Sequence, residues 1–253
     1  MATLFIGQNT IFLPEVDSTN SYASSLLKKV NTIEGTVVYT SSQAHGKGQR
    51  GNTWSAEPAM NVTLSTILKP NFLELKRSFY LSKITALALH DVLAELLAQS
   101  QFDIMIKWPN DMLVDGKKIA GILIENAFKE HTIASSIIGI GLNVNQTVFA
   151  DLMGFATSIK LLTKKENDLE KVMQLIFEKL EKWYLILRSG KLNDIDESYL
   201  KHFYKLGESC LFANEKEKFE AKILGVNESG LLLLEMKDGS QKTFDMKEVK
   251  MIF

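Results

Sequence analysis

With 253 residues, 45% of them hydrophobic and 23% charged, and a formal net charge of -1, the chain can bury a sizeable core; disorder and a broad nucleic-acid-binding surface are excluded. The single cysteine, Cys210, rules out an intramolecular disulfide, and the four histidines, His45, His90, His131 and His202, lack metal-ligand spacing. The opening MATLFIGQNT has neither the basic nor the long apolar region of a signal peptide, and no apolar run approaches about 18 residues, so the reading is a cytoplasmic protein without a membrane partner.

In chain order, a short strand is expected over Thr10–Leu13. Asp17-Ser18-Thr19-Asn20 then forms a polar cap cluster, with a helix starting near Ser18 or Thr19. Thr36–Thr40 (TVVYT) and Asn61–Leu68 (NVTLSTIL) read as strands. Between them lies HGKGQRGNTW, whose Gly46, Gly48 and Gly51 match the GxGxxG spacing of a dinucleotide-binding turn. That turn needs a helix after it, and NTWSAEPAMN, with Pro58 and two asparagines, is poor helix material, so no Rossmann unit is built here.

A long helix is predicted from about Leu75 to Gln99, with Leu81, Ile84, Ala88 and Val92 on its apolar face. Strand signals follow over 103–108, 112–114, 117–128 and 132–144, with Asp115-Gly116 marking a type I′ hairpin. Residues 168–189 read as an amphipathic helix and a shorter one falls near Ile195–Phe203. From Gly207 onward about five short strand-like runs suggest a small β-barrel, which places a boundary near Lys205 and divides the chain into 1–205 and 206–253. The fold class is α+β, a mixed sheet flanked by helices.

Four clusters carry candidate chemistry. Asp17-Ser18-Thr19-Asn20 is either a plain helix cap or a set of polar groups for a small ring. The Gln43–Trp54 loop offers close-approach glycines, Lys47 and Arg50 for an anion, and the Trp54 face for a base, or else it is a surface connection over a buried Trp. Lys107-Trp108-Pro109-Asn110-Asp111 sits where Pro109 must break strand pairing. It could supply contacts to phosphate, base, ribose or a hydrated metal, or be a polar turn. Lys118, followed by Gly121, and Gly139, Gly141 and Asn143 in the next strand suggest a ligand lying close on the sheet. Taken alone, Lys118 reads as a solvated hairpin lysine. Strand alternation puts Lys118 and Gly121 on opposite faces unless a bulge intervenes.

In this order DSTN, QAHGKGQRGNTW, KWPNDMLVDGKKIAG and GIGLNVN resemble the biotin protein ligases, and the resemblance spans nearly the whole chain. It implies a catalytic domain like that of class II aminoacyl-tRNA synthetases, with an SH3-like C-terminal domain. The implied activity joins biotin to AMP using ATP with Mg2+ and then transfers it to a lysine of a biotin carboxyl carrier protein or domain. By position, the resemblance assigns Ser18, Thr19, Asn20 and Gln43 to the biotin ureido ring. Gly46, Lys47, Gly48, Gln49 and Gly121 are assigned to the rest of biotin. Arg50, Trp54, Lys107, Asn110, Asp111 and Asn143 go to the nucleotide. Lys118, with Lys47 and Arg50, is expected to stabilise the reacting anions, and no protein metal ligand is implied. Lys47 and Gln49 stand at usual arginine positions. Because DSTN begins at residue 17, the reading is a monofunctional ligase that does not bind DNA, and a homodimer is compatible with it. The alternatives are a lipoate protein ligase and a non-catalytic biotin sensor.

Overall fold

A computed structural model of the chain describes residues 3–29, 31–99, 101–150 and 154–252, with Arg50 by its backbone alone. Its first part contains strands β1 (Thr10–Val16), β2 (Val37–Gln43), β3 (Val62–Leu68), β4 (Ile104–Lys107), β5 (Asp111–Val114), β6 (Lys117–Lys129) and β7 (Thr132–Leu142). Helices α1 (Thr19–Lys29), α2 (Tyr80–Leu96), α3 (Ile159–Thr163), α4 (Leu169–Arg188) and α5 (Leu192–Lys201) accompany them.

The seven strands form one mixed sheet in the order β1-β2-β3-β7-β6-β5-β4. β1 and β2 pair in parallel, which requires a crossover connection, and α1 supplies it. Pro14 lies in edge strand β1, where its missing N–H costs least. Because strand side chains alternate, Val38, Ile67 and Ile137 share one face and pack with Ala23 of α1. Leu64, Ile122, Ile138 and Ile140 point the other way, into the main core with Leu81, Ile84 and Leu87 of α2 and Ile176 and Leu180 of α4. The two faces are thus unequal. One is fully roofed, while α1 covers only part of the other and leaves its N-terminal end over open sheet.

The helices end where capping chemistry dictates. Asp168 accepts from the Glu170 and Lys171 amides to start α4, and Ser158 accepts from Leu161 N to start α3, a helix the sequence reading did not anticipate. The long helix expected from Leu75 begins only at Tyr80. Residues 73–75 are committed to the sheet edge instead, through Ile133 N to Leu73 O, Leu75 N to His131 O and a Glu74–Thr132 bridge. Asp115 and Gly116 both have positive φ, 48° and 75°, as the expected hairpin turn requires.

The C-terminal part forms a second, antiparallel sheet of β8 (Ser209–Ala213), β9 (Lys218–Val226), β10 (Leu232–Met236), β11 (Gln241–Phe244) and β12 (Lys250–Met251), ordered β11-β10-β9-β8-β12. The five strands expected there are present. Among the described residues β11 and β12 do not pair with each other, so the sheet stays open rather than closing into a barrel. Its Asn227–Gly230 turn docks on the first part: Trp108 Nε1 donates to Gly230 O (2.9 Å), Arg77 Nε pairs with Glu228 (2.6 Å), and a Cβ on Gly230 would meet the Phe79 ring at 2.3 Å.

Candidate active site

The open part of the sheet is built from cross-strand rows. Thr63, Gly141, Gly121 and Asp111 are register partners from β3 across to β5, and Ser65, Gly139 and Leu123 form the next row on that face. Between β5 and β6 the register shifts: Met112 faces Ala120 but Leu113 faces Lys118, so Ile119 is an extra residue. This bulge brings Lys118 to the face that carries Gly121, resolving the conflict posed by simple alternation. A cavity of about 120 Å³ lies over these rows, bounded by the start of α1, the end of β2, the 46–54 loop and Lys118.

At one end of the cavity sits a relay of polar side chains. Gln43 Oε1 accepts from Thr19 N (2.8 Å) and Thr19 Oγ1 (3.2 Å), so a residue of β2 takes an amide at the start of α1 that has no partner within the helix. Ser65 Oγ lies 2.8 Å from Thr19 Oγ1 and 2.6 Å from Asn20 Oδ1, and Asn20 Nδ2 donates to Glu125 Oε2 (2.8 Å) and Leu123 O (3.3 Å). Ser18, Thr19 and Asn20 are all buried, each no more than 3% exposed. Polar groups buried this deeply and joined in one network are held in fixed orientations.

The loop folds over the cavity as a short hairpin, through Trp54 N to Gly46 O (2.9 Å) and Gly48 N to Asn52 O (2.7 Å), with a 3-10 turn over Gln49–Gly51 at its tip. It returns the half-buried Trp54 indole onto the sheet. The space above the sheet glycines is therefore filled by the protein's own side chains: a Cβ on Gly141 would lie 2.2 Å from Trp54 Cε2, and one on Gly139 would lie 2.3 Å from Asn20 Oδ1. Any side chain at these positions would displace the residue above, which explains the glycines more directly than close approach of a ligand. Gln49 Nε2 rests against Met246 Sδ of the C-terminal part, while the Arg50 side chain lies outside the described atoms.

Lys118 Nζ sits 2.6 Å from Asp111 Oδ1 and 5.8 Å from the Trp54 ring. Its backbone is clamped from the far side by Lys118 N to Phe155 O (2.8 Å) and Thr157 N to Lys118 O (2.9 Å), a contact with residues 155–157 that the sequence reading did not foresee. The lining carries two described cations, Lys47 and Lys118, and a single described carboxylate, Asp111. Asn110 lines the same cavity and donates to Ile122 O at 2.9 Å.

Gly46 is not part of the lining and serves the loop through its carbonyl, which accepts from Trp54 N, and two further expected residues stand apart from this cavity. Asn143 is buried, with its side-chain amide donating to Thr157 O at 3.0 Å, so it braces the 155–157 segment. Lys107 lines a neighbouring cavity with Lys250; burial, aided by Lys118 and Lys250, holds its ammonium below the usual lysine pKa against the pull of Asp111.

Residues 12–143 match the biotin/lipoate A/B protein ligase family, and the chain is 33% identical over 247 residues to the bifunctional ligase/repressor BirA of Bacillus subtilis, covering 96% of this chain and 74% of that protein. The chain belongs to the biotin/lipoate A/B protein ligase family. It is also 29% identical to the biotin-[acetyl-CoA-carboxylase] ligase of Paracoccus denitrificans, over 90% of this chain and 95% of that one. The solved biotin protein ligase from Aquifex aeolicus in complex with biotin and ATP has the same mixed α+β fold, with a TM-score of 0.80 at 26% identity over 97% of this chain and 99% of that chain.

In this family member the cavity gathers Ser18, Thr19, Asn20, Gln43, Lys47, Gly48, Gln49, Trp54, Asn110, Asp111, Lys118 and Gly121 from three of the sequence motifs, and Gly139 and Gly141 from the fourth. Ser65 and Glu125, which complete the polar relay, carried no signal of their own: one is an inward residue of a uniformly buried strand, the other an ordinary strand acid. No described helix is long and apolar enough to cross a membrane, and no described group of three or more His, Cys, Asp or Glu could hold a metal ion.

Proposed function

We propose that the chain activates biotin as biotinyl-5'-AMP at the expense of ATP and passes the biotinyl group to a lysine of a biotin carboxyl carrier protein or domain. One observation carries this reading: a fixed polar relay at one end of the cavity, with the Lys118 ammonium beside Asp111 and under the loop. A ureido ring, with one carbonyl acceptor and two N–H donors, suits such a relay. The carboxylate at the end of its aliphatic chain would then reach toward Lys118.

In the first step a biotin carboxylate oxygen attacks the α-phosphorus of ATP, the acyl–phosphate bond forms, and pyrophosphate leaves. Two anions must be brought together, so the protein's main task is electrostatic and positional. Lys118 is suited to bridge carboxylate and α-phosphate as charge shifts between them, with Lys47 and Arg50 contributing from the loop. Trp54 offers a face for adenine, Lys107 and Asn110 belong to the nucleotide side, and Asn143 acts behind Lys118 by bracing the 155–157 segment. Mg2+ arriving with the nucleotide would neutralise phosphate charge, and Asp111 is the lining carboxylate that would meet it. In the second step the neutral carrier amine attacks the acyl carbon, the amide forms, AMP leaves with its phosphate and the amine's proton passes to water, so no protein nucleophile is needed. Catalysis belongs to residues 1–205, and residues 206–253 form the small C-terminal domain.

The test is ATP–pyrophosphate exchange followed by transfer to a purified carrier domain. Exchange driven by biotin and labelling of the carrier lysine are expected. Exchange with lipoate alone would replace biotin as the substrate, and biotin binding without exchange would make the chain a sensor.

A further inference from the structure

We propose that Glu125, which lies outside the cavity, is a positioning residue that fixes the hydrogen-bond polarity of the ring end and thereby its preference for a ureido ring; the proposal rests on biotin being the substrate. A side-chain amide is nearly symmetric in shape, so Asn20 could turn either its oxygen or its nitrogen toward β3. What decides is the acceptor on β6. Glu125 Oε2 lies 2.8 Å from Asn20 Nδ2, and an ionised carboxylate can only accept. Leu123 O takes the same amide's donor side at 3.3 Å. Both Asn20 N–H groups are thus drawn toward β6, and Oδ1 is left facing β3, 2.6 Å from Ser65 Oγ.

The orientation propagates. Ser65 Oγ is also 2.8 Å from Thr19 Oγ1, and Thr19 presents its amide and hydroxyl to Gln43 Oε1 at 2.8 and 3.2 Å. With its oxygen so engaged, Gln43 must turn Nε2 away, toward the loop, where a Cβ on Gly46 would lie 2.9 Å from it. Thr19, Asn20 and Gln43 all line the cavity, and in this arrangement the Thr19 and Asn20 oxygens keep a lone pair with which to accept while Gln43 keeps a nitrogen with which to donate. This is the complement of a ureido group, whose N–H pair seeks acceptors and whose carbonyl seeks a donor. A ring without N–H groups gains nothing from the arrangement. Without Glu125 only the longer contact to Leu123 O, at 3.3 Å, opposes a flip of the Asn20 amide, and in the flipped state an acceptor becomes a donor facing another donor, the costly arrangement for a buried site.

Steady-state exchange kinetics test this. Glu125→Ala is expected to raise the KM for biotin about tenfold, as for loss of one charge-assisted hydrogen bond, with kcat at saturating biotin and the KM for ATP within about twofold of the parent. Glu125→Gln, which keeps an acceptor oxygen, is expected to recover to within about threefold. In an Asn20→Ala background, Glu125→Ala should add nothing further, because the two act as one unit. An unchanged biotin KM, equal rises in both KM values, a glutamine variant no better than alanine, or additive effects in the double variant would each overturn the proposal. Failure of the parent enzyme to exchange with biotin would remove the assigned substrate, and with it this inference. Normal parent exchange with an unaffected Glu125→Ala would remove the inference alone.

Discussion

Lys118 Nζ and Asp111 Oδ1 meet at 2.6 Å across the β5–β6 pair, one residue beyond the Ile119 bulge. The bulge puts the ammonium on the cavity face and the carboxylate holds it there, so its position is set before any substrate arrives. Lys118→Ala should therefore lower single-turnover biotinyl-adenylate formation by about 10²- to 10³-fold, as for a lost transition-state charge contact, while biotin affinity by calorimetry changes less than about tenfold. Near-parental adenylation would remove Lys118 from the chemistry.

Gly141→Ala tests the seat of the indole. The strand backbone at this position accepts any residue, but the new methyl would need the space of Trp54 Cε2. Overpacking of this kind costs about 1–3 kcal/mol of stability, and by displacing the indole it should also lower adenylate formation while the far-UV circular dichroism stays that of the parent. Trp54 should also report the change in its emission. Among the described residues its buried Nε1 has no hydrogen-bond partner, whereas Trp108 and Trp183 donate to Gly230 O and Asp91. A parental emission spectrum in Gly141→Ala would show that the indole is not seated there.

The seat of the indole leads to another expectation. Trp54 lines the cavity and lies over Gly121 and Gly141, so a ligand that enters must touch or move it. Biotin with ATP should therefore shift Trp emission in the parent and leave Trp54→Phe nearly silent. An equal response in Trp54→Phe would assign the signal to another tryptophan.

How much of this was legible in the sequence depended on how local each cause was. The Asp115-Gly116 turn and the α2 and α4 faces are written in short-range patterns, and the four motifs named the cavity's main lining residues before any sheet was drawn. The bulge at Ile119 was not visible, because it is a property of how two strands register and not of either strand alone. The glycines pointed to the correct surface for an incomplete reason: Asn20 and Trp54, both distant in sequence, take up the space expected for ligand. Asn143 drew attention through its motif, yet its amide is spent on Thr157 O. The late start of α2 follows from hydrogen bonds to residues 131–133, which no helical periodicity over 75–99 can reveal.

Stability at the start of the chain rests on Glu181 of α4. This residue is 6% exposed and accepts from the Leu4, Phe5 and Ile6 amides at 2.6, 2.8 and 2.9 Å. Glu181→Gln sets an amide donor against backbone donors and should cost about 2 kcal/mol in a urea titration, with the slope unchanged. A loss within about 0.5 kcal/mol would mean that water or a shifted backbone replaces the carboxylate.

The pH dependence of stability has a defined sign. His202 stacks on His90 with ring centroids 3.7 Å apart, and burial, followed by the neighbouring His90 and Lys201, pushes its pKa down to about 4 from 6.5, with Asp91 pulling weakly the other way. Between those values the unfolded chain binds the proton and the folded chain does not, so stability is full above about pH 6.5 and falls as the pH drops toward 4. Thermal unfolding at pH 7 and pH 5 should show a lower midpoint at pH 5, and His202→Gln should reduce that difference. An identical difference in the variant would place the titration elsewhere.

The docking of Gly230 on Phe79 and Trp108 has a practical corollary. The Trp108 indole that receives the turn belongs to the same three-residue connection as Asn110, at the rim of the cavity. The small sheet is a splint for that rim, so residues 209–252 are a poor place to shorten the protein or to graft a foreign domain.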